Sequence, residues 1–308
     1  MTLLPGIPSV SEFAARLGVS WDDAALLSLH GRDADLIHAV TSSRKVFALT
    51  GGENTPSVLC GRLCAFGLGH LRAAVGEKLS YPDERITRGT AEELASSGYD
   101  ALSLLYIEND APDFRVRYGI PDEEFLRADV PMTKSEVRAV SLSRLAPDDG
   151  AVVYDIGAGT GSVAVECALN VPRGRVWAVE KKAEAVSLIR ENRKKFAAEN
   201  LEIIEGSAPG ILKDLPAPTH AFIGGSSGNL PEIVEALLEK NPLVRIVINT
   251  VTLETFAEAI ACRSRFAFDL FDCVTVSITR SRPVGRYQMQ TAQNPVQVIT
   301  LQRRSGHV

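Results

Sequence analysis

The stretch AVVYDIGAGTGSVAVECALNVPRGRVWAVEK, residues 151–181, decides the fold. Its first apolar run ends at Ile156, the loop Gly157-Ala158-Gly159-Thr160-Gly161 follows, and a helical pattern begins near Ser162. Glycines let a backbone turn sharply and approach a ligand, while the first turn of a helix presents unpaired N–H groups. The segment therefore predicts a nucleotide-cofactor loop between a buried strand and a helix, with a plain turn as the competing interpretation.

The residues around this loop favour S-adenosylmethionine over a nicotinamide dinucleotide. A nicotinamide-binding loop needs a glycine or alanine where this chain has Ser162. Glu180 ends the next strand, 19 residues after Gly161, at the interval where an acid accepts hydrogen bonds from ribose hydroxyls. We expect Asp155 to hold the amino acid end of the ligand, directly or through water. The loop at Ser207-Ala208, after the third strand, is expected to meet the adenine.

The rest of this region continues the alternation of strands and helices. Further β-branched runs occupy residues 175–180, 201–206, 220–225 and 245–251, and helical patterns occupy 182–198 and 230–240. That alternation is typical of a doubly wound α/β sheet with parallel strands. The runs at 271–282 and 295–302 have no helix between them. We therefore expect an antiparallel hairpin that closes the sheet, as in the Rossmann-like class I methyltransferases.

Residues 1–110 follow a different pattern, which predicts a separate domain. Helical patterns occur at 10–17 and 57–67, and strand-like runs occur at 25–31, 45–52 and 100–108. The segment 109–121 is charged, carries two prolines and has no period, so the boundary is expected there. The predicted domains are residues 1–110 and 111–308.

The composition limits the location and the partners. A formal net charge of -5 argues against nucleic acid as a bulk electrostatic partner. No run approaches the ~18 apolar residues of a membrane helix, and the first residues lack a signal-peptide pattern, so we expect a cytoplasmic protein. The five cysteines form neither a disulfide framework nor a CxxC metal pair. Arg280, Arg282 and Arg286 form a basic patch without an acid.

Six motifs in order resemble the decarboxylating precorrin carbon-15 methyltransferases of cobalamin biosynthesis. They are GIPDEEF at 119–125, VPMTKSEVRA at 130–139, YDIGAGTGSVAVE at 154–166, FIGGSSGN at 222–229, INTVTLET at 248–255 and SRPVGRYQMQTAQNPV at 281–296. The resemblance implies methylation of carbon 15 of a precorrin or cobalt-precorrin, with loss of the ring C acetate as carbon dioxide. It also implies a homo-oligomer, with a homotetramer as the expected state.

The resemblance assigns residues to both ligands. It places Thr133, residues 157–161, Glu180 and Ala208 at S-adenosylmethionine, although the Thr133 hydroxyl could equally cap a helix. It places Gly224, Gly225, Ser226 and Asn229 beside the methyl-transfer site, where a plain flexible turn is the alternative. Because the substrate is a polycarboxylate, Arg280, Arg282 and Arg286 could bind its carboxylates, or could simply lie on a solvated hairpin. No residue stands out as a catalytic base.

Residues 1–108 resemble the later part of the precorrin carbon-5 methyltransferases, which have the tetrapyrrole methylase fold. The similarity lies in PGIPSVSEFAARLG at 5–18, SLHGR at 28–32, LTGGENTP at 49–56 and PDERITRGT at 82–90. The family's glycine-proline loop would precede Pro5 and does not occur in this sequence. We therefore expect no carbon-5 methylation by this chain alone, unless a separate polypeptide or an earlier start supplies the missing half. Carbon-5 methylation by the purified chain would contradict this expectation.

Two other functions remain open from the sequence alone. A class I methyltransferase could act on RNA or on another small molecule, and residues 1–108 could serve only as an assembly domain. The net acidity and the absence of an aromatic and basic stripe argue against RNA.

Overall fold

In the computed structural model, which describes residues 6–30, 34–114 and 118–304, the chain divides into two units, residues 1–115 and 116–308. The division lies inside the charged segment 109–121. Among the described residues, no helix is both long and apolar enough to cross a membrane.

The first unit is a five-stranded sheet with short helices. Its elements are α1 (Ser9–Leu17), β1 (Ala25–Ser28), α2 (Leu36–Ser42), β2 (Lys45–Leu49), α3 (Pro56–Ala65), β3 (Arg72–Glu77), β4 (Arg85–Thr90), α4 (Ala91–Ala95) and β5 (Ser103–Glu108). The strand order is β1-β2-β5-β3-β4, and only the pair β1 and β2 is parallel. Phe13, Phe47 and Tyr106 pack against one another in its core.

The sequence patterns located only part of this unit. α1, α3, β1, β2 and β5 match predicted runs, whereas α2, α4, β3 and β4 were not predicted. β4 reads RITRGT and lies at the edge of the sheet, so it needs no continuous apolar run. β3 reads RAAVGE, in which small residues replace the bulky ones that mark a strand.

The second unit is built on a seven-stranded sheet. Its elements are α5 (Ser135–Leu145), β6 (Val152–Ile156), α6 (Ser162–Asn170), β7 (Arg175–Glu180), α7 (Ala183–Lys195), β8 (Leu201–Glu205), β9 (His220–Ile223), α8 (Leu230–Lys240), β10 (Arg245–Thr250), α9 (Leu253–Arg265), β11 (Leu270–Val276), β12 (Thr279–Val284), β13 (Tyr287–Ala292) and β14 (Val296–Gln302), with short 3-10 helices at Asp122–Glu124 and Gly210–Asp214. The sheet order is β11-β14-β10-β9-β6-β7-β8.

The predicted fold class is confirmed. Strands β6 to β10 pair in parallel, and β14 pairs antiparallel with both β10 and β11. Alternate residues of β6 enter two cores on opposite faces, Val153 with α5, α6 and α7, and Tyr154 and Ile156 with α8 and α9. The sheet is therefore covered on both faces, which explains why its parallel strands are almost continuously apolar.

The expected closing hairpin needs one correction. The run 271–282 does not form a single strand, because β11 ends at Val276 and β12 leaves the sheet to pair with β13. Strands β12 and β13, here called the ribbon, are almost entirely exposed and read TRSRPV and YQMQTA. Neither strand has the apolar face that would hold it on the core, whereas β11 pairs with β14 over its whole length.

Candidate active site

A cavity of about 780 Å³ lies at the carboxyl ends of the parallel strands of the second unit. Its wall consists of residues 130–134, 137, 156–159, 179–182, 185, 206–208, 224–227, 233, 249, 251, 293, 294 and 296. The volume falls in the range of small-molecule sites, and this edge of an open α/β sheet is where such proteins bind ligands. The structure thus brings together residues that follow five consecutive strands, β6 to β10, and residues from the segments before α5 and β14.

The glycine loop after β6 is packed tightly against two neighbouring backbones. Gly157 and Gly159 have φ angles of +72° and +56°. A Cβ atom at Gly157 would lie 2.6 Å from the carbonyl oxygen of Gly225, and one at Gly159 would lie 2.9 Å from that of Pro131. Larger residues would therefore push apart the three segments that line this side of the cavity.

Glu180, at the end of β7, lines the cavity and also fastens the glycine loop. Its Oε2 accepts a hydrogen bond from the backbone N–H of Gly159 at 2.9 Å, and its Oε1 accepts from the N–H groups of Lys181 and Lys182 at 2.8 and 3.0 Å. A carboxylate can accept about four hydrogen bonds. The carboxylate of Glu180 therefore keeps acceptor capacity for a ligand hydroxyl while its orientation is fixed.

Asp155, Thr160 and Gly161 belong to the predicted ligand set but do not form part of the cavity wall. Asp155 is 1% exposed, and its Oδ2 accepts a hydrogen bond from Ala164 N–H at 2.9 Å. Asp155, expected to hold the ligand directly or through water, thus lies outside the wall and bonds the first turn of α6. Its Oδ1 and the hydroxyl of Thr160 are buried without a hydrogen-bond partner.

Burial raises the pKa of Asp155 to about 7. The hydrogen bond from Ala164 N–H lowers this pKa by a smaller amount, and the negative charge of Glu180 raises it slightly. The folded protein therefore binds the proton of the Asp155 carboxyl more tightly than the unfolded chain does, because the pKa of this carboxyl in the unfolded chain is near 3.8. The contribution of Asp155 to the free energy of unfolding is fully present below about pH 4 and is lost as the pH rises through 7.

Asp155→Asn is expected to remove this pH dependence, because asparagine keeps an acceptor for Ala164 N–H and cannot ionise. Between pH 4 and 8, the free energy of unfolding of wild type should fall relative to that of the variant. Denaturant unfolding followed by Trp177 fluorescence, in a Trp21→Phe background, measures this for the second unit. Parallel pH profiles for the two proteins would contradict the prediction.

A buried ion pair supports the cavity-lining segment 130–134. Arg138 and Glu166 are both fully buried, and Arg138 Nε lies 2.5 Å from Glu166 Oε1. Arg138 also donates to the carbonyl oxygens of Thr133, at 2.5 Å, and Ile120. Glu166 accepts from the N–H groups of Gly119 and Ile120 at 2.9 and 2.8 Å. The pair therefore ties α5 and α6 to two chain segments.

Thr133 lines the cavity, and the alternative role as a helix cap is wrong. Helix α5 begins at Ser135 and is preceded by Lys134 in the cap position, without a side-chain cap bond. The free N–H of Ser135 is satisfied by Asp122 Oδ1 at 2.9 Å. The hydroxyl of Thr133 is therefore not engaged in capping.

The predicted substrate residues fall into two groups. Gly224, Gly225 and Ser226 line the cavity, whereas Asn229 lies outside its wall at the start of α8. Arg280 and Arg282 on the ribbon, and Arg286 in the turn between its strands (together the ribbon arginines), are also outside the wall. Arg280 contacts Glu136 at 2.5 and 3.0 Å, Arg282 donates to Thr291 Oγ1, and Arg286 contacts Tyr287.

Sequence reasoning missed several polar residues of the wall, namely Lys134, Lys181, Lys182, Asn249, Gln293 and Asn294. Asn249 is held by Ser141 on α5, with 2.9 Å between Nδ2 and Oγ. The lysines had a usable signal, because Lys181 and Lys182 directly follow the predicted strand-end acid. Gln293 and Asn294 had no such signal, because they lie in the loop between the ribbon and β14 and are brought to the wall by the folding of the chain.

Comparison with known proteins shows the family to which this chain belongs. The profile described as a precorrin methyltransferase domain matches residues 124–303, more than half of the chain. The chain belongs to this family. A second profile, for tetrapyrrole (corrin/porphyrin) methylases, matches residues 1–95. Both matches agree with the resemblance found in the sequence motifs.

Individual relatives support the same assignment. A probable cobalt-precorrin-6B C(15)-methyltransferase (decarboxylating) of Pyrobaculum calidifontis is 42% identical over 59% of this chain and 94% of its own length. A precorrin-6Y C(5,15)-methyltransferase [decarboxylating] of Sinorhizobium sp is 33% identical over 92% of this chain and 68% of its own. The crystal structure of precorrin-6Y C5,15-methyltransferase from Geobacter metallireducens has a TM-score of 0.58 and 39% identity, covering 61% of this chain and 98% of that one.

Proposed function

We propose that this precorrin methyltransferase transfers a methyl group from S-adenosylmethionine to carbon 15 of a precorrin or cobalt-precorrin, and that the ring C acetate leaves as carbon dioxide. The observation that carries the proposal is the cavity at the strand ends, whose wall contains the glycine loop, Glu180 and the 224–226 turn. Relatives that match this chain over nearly their own full length carry this activity in their names, and the precorrin methyltransferase profile matches residues 124–303, which bear the cavity.

The residues of the cavity fit S-adenosylmethionine. Gly157 and Gly159 line the cavity with bare backbone, Glu180 keeps acceptor capacity for ribose hydroxyls, and the Thr133 hydroxyl is free of any capping role. The Ser207-Ala208 turn would border the adenine. When bound, the cofactor supplies a methyl group made electrophilic by its sulfonium.

The residues of this chain position the two reactants and do not form covalent bonds to them. The glycine loop, fixed by Glu180 and by contact with Gly225, sets the floor of the cavity, and the 224–226 turn would hold the reacting ring carbon beside it. Decarboxylation breaks the bond between the acetate methylene and its carboxyl carbon, and the conjugated macrocycle can accept the electron pair before the methylene gains a proton. Neither step requires a protein nucleophile, and we assign no catalytic base.

Mass spectrometry of the product tests the proposal. Purified chain is incubated with S-adenosylmethionine and the tetrapyrrole, with and without cobalt, and the product should gain one methyl group and lose one carbon dioxide. A product with two added methyl groups would assign carbon-5 methylation to the chain as well. Methylation of RNA, or no reaction with either tetrapyrrole, would contradict the proposal.

The ribbon arginines are proposed as an outer contact for substrate carboxylates. Arg280 already faces Glu136, whereas the partners of Arg282 and Arg286 among the described residues are the neutral side chains of Thr291 and Tyr287. Arg282→Glu is therefore expected to raise KM for the tetrapyrrole about tenfold through lost attraction and new repulsion, with the affinity for S-adenosylhomocysteine unchanged. Steady-state kinetics measures this. An unchanged KM would remove Arg282 from the site.

The ribbon also supports the proposal of a homotetramer. Val284, Tyr287 and Met289 are between 42% and 63% exposed on the ribbon, and an isolated two-stranded ribbon is only marginally stable in water. Association between copies would cover these side chains. Sedimentation velocity should give a mass of four chains for wild type and a smaller mass for Tyr287→Ser/Met289→Ser, and a wild-type monomer would contradict this.

A further inference from the structure

The charged side chains of the cavity wall are unevenly balanced. The wall contains Lys134, Lys181 and Lys182, while Glu180 is the acidic residue among the described wall residues. The Glu180 carboxylate already accepts three backbone hydrogen bonds. Lys134 Nζ lies 3.7 Å from Asp122 Oδ2, so its charge is partly matched. The remaining lysines give the cavity an excess of positive charge.

Lys181 has a neutral partner on the opposite side of the cavity. Its Nζ donates to Ser227 Oγ at 2.9 Å, and both residues line the cavity. Because β6 lies between β7 and β9 in the sheet, this contact spans the carboxyl end of β6, where the glycine loop begins. Ser227 has a φ angle of +54°, in the region that favours glycine. The ammonium group is therefore held across the cavity, and no carboxylate of the described residues is paired with it.

We propose that Lys181 binds a carboxylate of a ligand in this cavity. Within the described part of the chain this ammonium donates to a neutral hydroxyl, and a carboxylate within hydrogen-bond distance would form a stronger, charge-assisted bond. Ser227 would hold the side chain in place until the carboxylate replaces it. The inference rests on the proposed function, which supplies two carboxylate sources: the amino acid end of the methyl donor and the acidic side chains of the tetrapyrrole.

Lys181→Gln tests the proposal through two binding measurements that need no turnover. Titration calorimetry gives Kd for S-adenosylhomocysteine, and absorbance titration of the enzyme with S-adenosylhomocysteine bound gives Kd for cobalt-precorrin-6B. We expect one of the two constants to rise about tenfold, and the one that rises identifies the carboxylate. The rise should shrink at high salt. Lys181→Arg should retain most of the wild-type affinity.

Lys194→Gln is the matched control, since it makes the same charge change on an exposed side chain of α7, outside the cavity wall. The proposal is overturned if both constants for Lys181→Gln stay within twofold of wild type, or if Lys194→Gln shifts them equally. Failure of the proposed function has a different signature, because wild type would then leave the tetrapyrrole unmethylated whatever the binding constants of the variants.

Discussion

Arg138→Met is expected to lower the free energy of unfolding of the second unit by about 3–5 kcal/mol, the usual cost of removing one partner from a buried ion pair. Glu166 would stay fully buried without a countercharge, and the carbonyl oxygens of Thr133 and Ile120 would lose a donor. Because Thr133 lines the cavity, the affinity for S-adenosylhomocysteine should also fall. Denaturant unfolding followed by Trp177 fluorescence measures the first effect and titration calorimetry the second.

Arg144→Met is the matched control on the same helix. Arg144 pairs with Asp272 at 3.0 Å, but both side chains are about two-fifths exposed. Exposed pairs contribute about 0–1 kcal/mol, so this variant should remain close to wild type. If Arg138→Met lost no more stability than Arg144→Met, the buried pair would not have the structural role assigned to it.

Gly157→Ala is expected to lower the affinity for S-adenosylhomocysteine about 100-fold, a loss of about 2.8 kcal/mol of binding free energy, because the glycine loop cannot keep its position in the cavity wall. The new Cβ would lie within 3.0 Å of the N, Cα and O atoms of Gly225. Backbone atoms cannot rotate away as a side chain can, so the 224–226 turn must move. Titration calorimetry on the folded variant, checked by its circular dichroism, measures the loss.

Gly18→Ala separates this overlap from simple backbone strain. Gly18 ends α1 with a φ angle of +74°, close to that of Gly157, but an added Cβ would meet no atom within 4 Å. The variant should lose about 1 kcal/mol of stability, the usual strain of a side chain in this conformation, and bind the ligand normally. Equal affinity of Gly157→Ala and wild type would show that the turn has room to move.

The parts of the fold that could be predicted are those set by local sequence. Buried parallel strands must be apolar on both faces, so β6 to β10 were visible as short β-branched runs. The position of Glu180 was predictable because it follows from the length of one βα unit. The ribbon was not predictable as a separate element, since the run that contains β11 and β12 has no break in its strand-like pattern.

The parts of the site that could not be predicted depend on which side chains meet in space. The position of Asp155 two residues before Gly157 predicts a role at the ligand, directly or through water, but does not show that its side chain bonds Ala164 N–H and lies outside the cavity wall. Ser141 and Asn249 meet although 108 residues separate them. Arg138 and Glu166 belong to two recognised motifs, yet only their burial shows that the two motifs are joined.

The position of β14 has a consequence for synthesis on the ribosome. β14 lies between β10 and β11, so the sheet cannot close until residues 296–302 have left the ribosome. Until then β10, which reads RIVINT, presents an apolar strand with one unpaired edge. Such edges are where nascent chains pair with one another. Among the described strands, β14 comes last in chain order, and it covers the edge of β10 through which newly made chains could aggregate.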